Sequence, residues 1–344
     1  MSSSMTRWRI PFLIICIIFI LSLAACQAKP TEQNQATATL EPTSTPTPEP
    51  LGREGNPVIL GLVPSESAPD QIAQAAALAE QISTVVGFTV KVLAVDDYDL
   101  LLNELQAGKV QLAFLQPMTY ITAHQNNLAD VALLTNHFGV YYYGMQFLAN
   151  VESGFVPFFD AKNNANTSDA ATALSQLNGK RACWAETNSI SGYILPAGIL
   201  AENGISVSEG ARLVSQTAII RALYIKGVCD FGATFAISGD PRTSSTVIND
   251  LTDVRERVPI LWQSDPVIPN LNMSYAASLP MEMRAPLTQA FLDMVRTEEG
   301  KSLLSAATGD YEIRDLREVD DSVYDPLRDA VDALGFDIYT ALGK

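Results

Sequence analysis

RACWAETNSISGYILPAGILAENG (181–204) decides how the rest of this sequence is read. Arg181–Ala185 is short and largely apolar and predicts a buried strand. Glu186–Ser191 is polar and small, a loop. From Gly192 the pattern turns apolar and lengthens until Asn203-Gly204, a helix stop. Strand, hydroxyl-bearing loop and helix in that order aim free backbone N–H groups at an anion. Ser189 and Ser191 add hydroxyl donors there, and Gly192 lets a ligand come close to the backbone. Pro196, with no N–H, tightens or distorts the first turn. The same residues also describe a plain helix capped by Ser191, and only the rest of the chain separates the two readings.

Upstream, Val58–Val63, Phe88–Ala94 and Val110–Leu115 read as strands. Asp70–Val86 and Asp97–Gln106 read as helices between them, and Gln116-Pro117-Met118-Thr119-Tyr120 opens another. This βαβαβ order predicts a parallel sheet with helical crossovers. Strands at Val131–Leu134 and Tyr141–Ala149 lead to a second unit: helix Ser168–Leu177, the central stretch, strand Arg212–Val214, helix Thr217–Ile225 and strand Cys229–Thr234. Strands Ile260–Trp262 and Met273–Ala277 lead back to helices Ala285–Arg296, Gly300–Ala306 and Tyr324–Ala333. Two α/β units joined by strand crossings predict two lobes with a cleft between them. Ligands of open α/β sheets sit at the carboxyl ends of strands. Here those ends are rich in hydroxyls, with Ser65 in the turn Pro64–Ser67 among them.

Arg7 and Arg9 precede an apolar run, 10–25, which closes on Leu23-Ala24-Ala25-Cys26. A positive segment, a short apolar core and that tetrapeptide resemble a bacterial lipoprotein signal, which implies a signal peptide over 1–25 and lipid on Cys26. The other reading is an uncleaved anchor, for which the run falls short of the roughly 20 residues of a comfortable span. Either way the body faces outward from the cell. Residues 26–55, rich in Thr, Pro and Glu, predict a disordered stalk. The formal charge of −16 argues against nucleic acid as a partner. Cys183 and Cys229 lie in apolar strand-like runs, either bonded in an oxidising exterior or buried as free thiols. Neither has the second Cys or His of a metal site. The two histidines, His124 and His137, lack zincin spacing, no GxSxG is present, and no enzyme is predicted. The C-terminal acids, Asp320 and Asp321 included, read as a solvated surface.

GLVPSES (61–67), DDYDLLLNEL (96–105), AGKVQLAFLQPMTY (107–120), the Ser189-x-Ser191-Gly192-Tyr193 loop, KGVCDFGA (226–233) and LWQSDPVIPN (261–270) follow in order. Over about Val58 to Ala306 the chain resembles substrate-binding proteins of phosphate/phosphite/phosphonate ABC importers. The resemblance implies a two-lobed type II periplasmic-binding fold of class α/β, each lobe a mainly parallel sheet flanked by helices. Lobe 1 takes 56–145 and 275–344, lobe 2 takes 146–274. It implies a ligand set of Ser65, Tyr98, Gln116, Thr119, Tyr120, Tyr142, Ser189, Ile190, Ser191 and Gln216, with no cofactor and no metal. Ile190 stands where the family usually has a hydroxyl residue, and Gln216 where it commonly has His. Ala236 and Leu271 stand near where binders of aminoalkyl phosphonates place carboxylates, with Asp240 close by. The implied role is a lipid-anchored, monomeric extracytoplasmic receptor. It hands a small oxyanion or organophosphonate to an ABC permease; a sensory lipoprotein of the same fold is the alternative.

Overall fold

The computed structural model describes residues 49–335. The signal segment, Cys26 and most of the stalk lie outside the described residues. From Leu51 the chain already belongs to the packed body. Leu51 lies against the apolar core, and the Gly52 carbonyl accepts from Thr89 N at 2.8 Å.

The first run is β1 (Val58–Leu62), α1 (Gln71–Val86), β2 (Val90–Ala94), α2 (Tyr98–Gln106), β3 (Leu112–Leu115), α3 (Pro117–Gln125) and β4 (Ala129–Asn136). The chain then crosses to β5 (Tyr142–Leu148), the hairpin β6 (Phe159–Asp160) and β7 (Ala165–Asn166), α4 (Ala170–Leu174) and β8 (Arg181–Trp184). There follow α5 (Leu195–Glu202), β9 (Ser208–Arg212), α6 (Gln216–Ile225) and β10 (Phe231–Ala236). The short α7 (Ser245–Ile248) and α8 (Val254–Arg257), β11 (Ile260–Gln263) and β12 (Ile268–Pro269) complete this part. It returns through β13 (Asn272–Ala276) to α9 (Met281–Met294), α10 (Glu298–Ala307), β14 (Asp315–Glu318) and α11 (Asp325–Ala333).

Two sheets result. One has the order β14-β4-β13-β3-β1-β2, the other β11-β5-β10-β8-β9 with β12 on β5. Each is parallel over three strands, β2-β1-β3 and β10-β8-β9, where helices connect them. The strands that enter or leave a lobe extend each sheet antiparallel. Buried apolar residues at helical spacing hold α1 to the first sheet: Ala75, Leu78, Ala79 and Ile82. Gly87, at φ 77°, stops it.

Two details depart from the sequence reading. The strand expected at Arg212–Val214 lies earlier, at Ser208–Arg212, because its pairing with β8 sets it and not its own apolar content. Asp321 is only partly solvated: it accepts from Tyr120 Oη at 2.9 Å and from Arg328. Cys183 and Cys229 are disulfide-bonded, with Cα atoms 5.5 Å apart. Cys229 precedes β10, so the link avoids the demand of bridging two paired strand residues directly.

The first crossing is clasped by the segment around β14, and the return crossing is bonded to the first. His137 stacks on Tyr311 with centroids 3.9 Å apart, and Tyr141 Oη donates to Asp315 at 2.7 Å. Asn270 of the return crossing donates from N to Tyr141 O at 3.0 Å and from Nδ2 to Val140 O at 2.8 Å. Beyond β14, α11 lies on α5, where a Cβ on Gly198 would sit 2.6 Å from Ala330 O.

Candidate anion site at two helix starts

β8 delivers the chain to the loop that the sequence singled out. Ser189 is the cap, two residues earlier than the Ser191 reading, and its Oγ accepts from Gly192 N at 3.2 Å. Ile190–Ile194 form a wide π-type turn before α5, in which Tyr193 N and Ile194 N both donate to Ser189 O at 3.0 Å. The N–H groups of Ile190 and Ser191 stand in the first turn, where a helix offers no internal acceptor. Ala185 N closes the loop onto Gly192 O at 3.0 Å. A Cβ on Gly192 would lie 2.5 Å from Ala185 Cβ and 2.8 Å from Ser189 Oγ, so only glycine fits.

Gln216 ties this loop to its neighbours. It is the first residue of α6, whose cap is Ser215, accepting from Ala218 N at 3.1 Å. Its Nε2 donates to Ser191 Oγ at 3.0 Å, and its Oε1 accepts from Phe235 N in β10. Because Ser191 Oγ accepts from Gln216, its own proton is left to donate onward. Ser191 is buried, and the hydroxyl direction is therefore fixed by the amide behind it.

In the other lobe Tyr98 opens α2, where Asp97 caps by accepting from Leu100 N. Burial pushes the Tyr98 phenol above its usual range, and Gln116, hydrogen-bonded to it, opposes this. At neutral pH Tyr98 is thus a neutral donor. Gln116 is exposed at the end of β3 and precedes Pro117, the first residue of α3. Tyr98, Val63 and Val95 pack on the same apolar cluster as Ile190, Tyr193 and Ile194. The cluster also takes in parts of α2, α3 and α11, and through it the two lobes share apolar packing.

The remaining candidates are placed differently. Ser65 donates its N–H to Gln71 Oε1 at 2.7 Å and shares a hydroxyl contact with Ser67 at 2.8 Å. Thr119 is buried in the first turn of α3. Tyr120 is fully buried, its ring 4.3 Å from that of Tyr324 and its hydroxyl engaged by Asp321. Tyr142 opens β5, half-buried, with the Arg317 guanidinium 5.1 Å from its ring centre. Trp184 is packed edge-on to Tyr193 and Phe231, a core residue as its strand position predicts.

Two features escaped the sequence reading. Asp240 is locked by Arg242, with Nε at 3.0 Å and Nη2 at 2.7 Å from Asp240 Oδ2, and Arg242 is 6% exposed. Arg212 donates to Ala185 O at 3.4 Å and lies 4.2 Å above the Tyr193 ring. Both contacts follow from strand register and a turn, which local pattern does not reveal. Among the described residues no group of three or more His, Cys, Asp or Glu is placed to hold a metal ion.

Two sheets flanked by helices and joined by strand crossings make this a two-lobed type II periplasmic-binding fold. Residues 60–324 match the family described as ABC transporter, phosphonate, periplasmic substrate-binding protein, and the chain belongs to that family. It is 26% identical over 233 residues to the phosphate-import protein PhnD of Mycolicibacterium smegmatis, a match covering 63% of this chain and 66% of that one. Among solved structures it is similar to XAC2383 from Xanthomonas citri bound to ATP (TM-score 0.60, 16% identity, 83% of this chain and 98% of that one). It is also similar to PhnD1 from Prochlorococcus marinus in complex with methylphosphonate (TM-score 0.52, 12% identity, 81% and 98% covered).

Proposed function

We propose that this protein is the extracytoplasmic receptor of an ABC importer and captures a small oxyanion of the phosphate, phosphite or phosphonate type. The observation that carries the reading is the Ser189–Gly192 loop. Its first-turn N–H groups stand beside the Ser191 hydroxyl fixed by Gln216, and Tyr98 of the other lobe belongs to the apolar cluster that Ile190 joins. Neutral donors at helix starts suit a tetrahedral anion. Hinge closure about the crossings near 137–141 and 269–272 brings the lobes together on it, with no bond broken. With β5 in the second sheet and β13 in the first, lobe 1 comprises about 56–141 and 272–335 of the described residues, and lobe 2 about 142–271. Cys26 carries the lipid that holds the receptor at the membrane; no described helix is long and apolar enough to cross one.

The ligand carries no cationic tail. Asp240, the nearby carboxylate, is already neutralised by Arg242, and Ala236 and Leu271 are buried and apolar. An ammonium brought here lacks a charged partner, worth about 1.5–3 kcal/mol. Calorimetric titration of the purified protein with phosphate, phosphite, methylphosphonate and 2-aminoethylphosphonate tests this. Binding of at least one of the first three, and at least tenfold weaker binding of the last, is expected. Silence towards all four overturns the reading.

A further inference from the structure

We infer that Arg212 positions the anion loop and supplies the positive field that draws an anion to it; this rests on the receptor reading above. Arg212 ends β9 and pairs with Trp184 in the parallel register, which puts it at the carboxyl end of the sheet beside the loop. Its Nη1 donates to Ala185 O at 3.4 Å, while Ala185 N holds Gly192 O at 3.0 Å. Its guanidinium carbon lies 4.2 Å from the Tyr193 ring centre, within the range of a cation–π contact. One side chain thus touches both ends of the segment that carries Ser189 and Ser191.

Its charge is only loosely answered. Glu209 Oε2 lies 3.1 Å from Nη2, but that carboxylate side chain is 53% exposed, and such surface pairs are well screened by water. Three other guanidiniums of this lobe are engaged elsewhere: Arg181 with Asp230 at the start of β8, Arg221 with Asp250, and Arg242 with Asp240. The protein carries a net charge of −16, so a small anion approaches against the overall field. A local cation beside neutral donors reverses that over roughly a Debye length, about 8–10 Å, and does so in a salt-dependent way.

The test titrates the native protein, Arg212→Gln, Arg212→Lys and Glu209→Gln with inorganic phosphate and with methylphosphonate, at low and at high sodium chloride. The native affinity is expected to weaken with salt. Arg212→Gln is expected to weaken low-salt binding roughly fivefold, as a unit charge in partly solvated surroundings would, and to flatten the salt dependence. Arg212→Lys keeps the salt dependence but not the full affinity, since an ammonium lacks the planar face over Tyr193. Glu209→Gln, on an exposed side chain, moves the other way, tightening low-salt binding and steepening the slope. If Arg212→Gln matches the native protein in affinity and slope, the inference falls. It falls also if the Gln and Lys variants lose affinity equally with the slope unchanged, which is packing alone. If Arg212→Gln does not fold, an unchanged slope in Glu209→Gln overturns the inference and a steepened one upholds it. A native protein that binds neither anion overturns the receptor reading itself, and this inference with it.

Discussion

Two helix starts at the ends of parallel strands are built on opposite plans. In the second lobe, Ser189 caps the turn, Gly192 is wedged against Ala185, and Gln216 grips Ser191 from behind. In the first lobe, α3 begins at Pro117 with no side-chain cap, and the preceding Gln116 is exposed. One start is tied down by neutral hydrogen bonds from three elements, with the Arg212 guanidinium at both ends of its loop; the other is left open at its tip, with Tyr98 as its neighbour. Under the proposed receptor function the two do different work: the second lobe would hold a preorganised seat, and the first would supply the face that closes over it. Preorganised donors cost little reorganisation on binding, so the seat is where affinity is most sensitive to small displacements.

The hardest way to break that contrast is Gly192→Val. Its Cβ alone would meet Ala185 Cβ at 2.5 Å, and neither neighbour is the far end of a flexible chain. Forcing the loop apart is expected to cost about 1–3 kcal/mol of stability. Oxyanion affinity should fall by more than about a hundredfold, because displaced donors no longer converge. Calorimetry on a variant shown to fold by circular dichroism checks this; retained affinity would mean the loop is not the seat. Gln216→Ala comes next. It strips the partner from Phe235 N and frees the Ser191 hydroxyl, a loss of about 1–3 kcal/mol in stability from an unsatisfied buried donor. Affinity is expected to fall roughly tenfold or more by the same measure, since Ser191 then turns freely.

Tyr98→Phe probes the closing face and should do less. It removes one neutral donor and leaves the apolar packing against the Ile190 cluster intact. A loss of about fivefold to tenfold in affinity is expected, the value of one neutral hydrogen bond, with the melting temperature nearly unchanged. A loss as large as that of Gly192→Val would show that both lobes contribute equally to the seat.

How far the sequence carried is visible in these same residues. Strand, loop and helix around Ser189–Gly192 were legible because each has a local signature: an apolar run, a hydroxyl-rich break, a glycine-stopped helix. Gln216 came instead from the family resemblance, and the structure puts it first in α6, after the Ser215 cap. The cap itself moved from Ser191 to Ser189 because the wide π-type turn inserts a residue that helical periodicity does not encode. Tyr120 looked like a ligand residue from its place after β3, yet its side chain turns to Tyr324, some 200 positions on, and long-range pairing leaves no local trace. Arg212 was invisible for the same reason, since its place depends on which strand end lies beside which; the Asp240–Arg242 lock spans only two residues, but the turn that makes it has no distinctive pattern.

The smallest effect sharpens the comparison by chemistry. The first-lobe helix is held from behind by charge: Tyr120 and Arg328 both donate to Asp321. Burial alone would push the Asp321 carboxyl up, but the hydrogen bonds from Arg328 and then Tyr120 outweigh it and hold it below the ordinary carboxylate range. A lowered native pKa contributes stability above the unfolded value, about 3.9, and loses it as pH falls through the native value. The native protein should therefore hold its melting temperature from neutral pH down to about pH 5 as far as this carboxyl is concerned, and lose stability below about pH 4. Asp321→Asn should melt slightly lower at pH 7 and decline less steeply in acid. The effect stays small because the carboxyl is a third exposed and water screens it. The ties that Gln216 makes, to Ser191 and to Phe235 N, involve no ionisable group, so at pH 5 Gln216→Ala should show the same melting deficit relative to the native protein as at pH 7. Melting curves of Asp321→Asn and the native protein that stay parallel from pH 7 to pH 3 would remove charge from the account of how α3 is held.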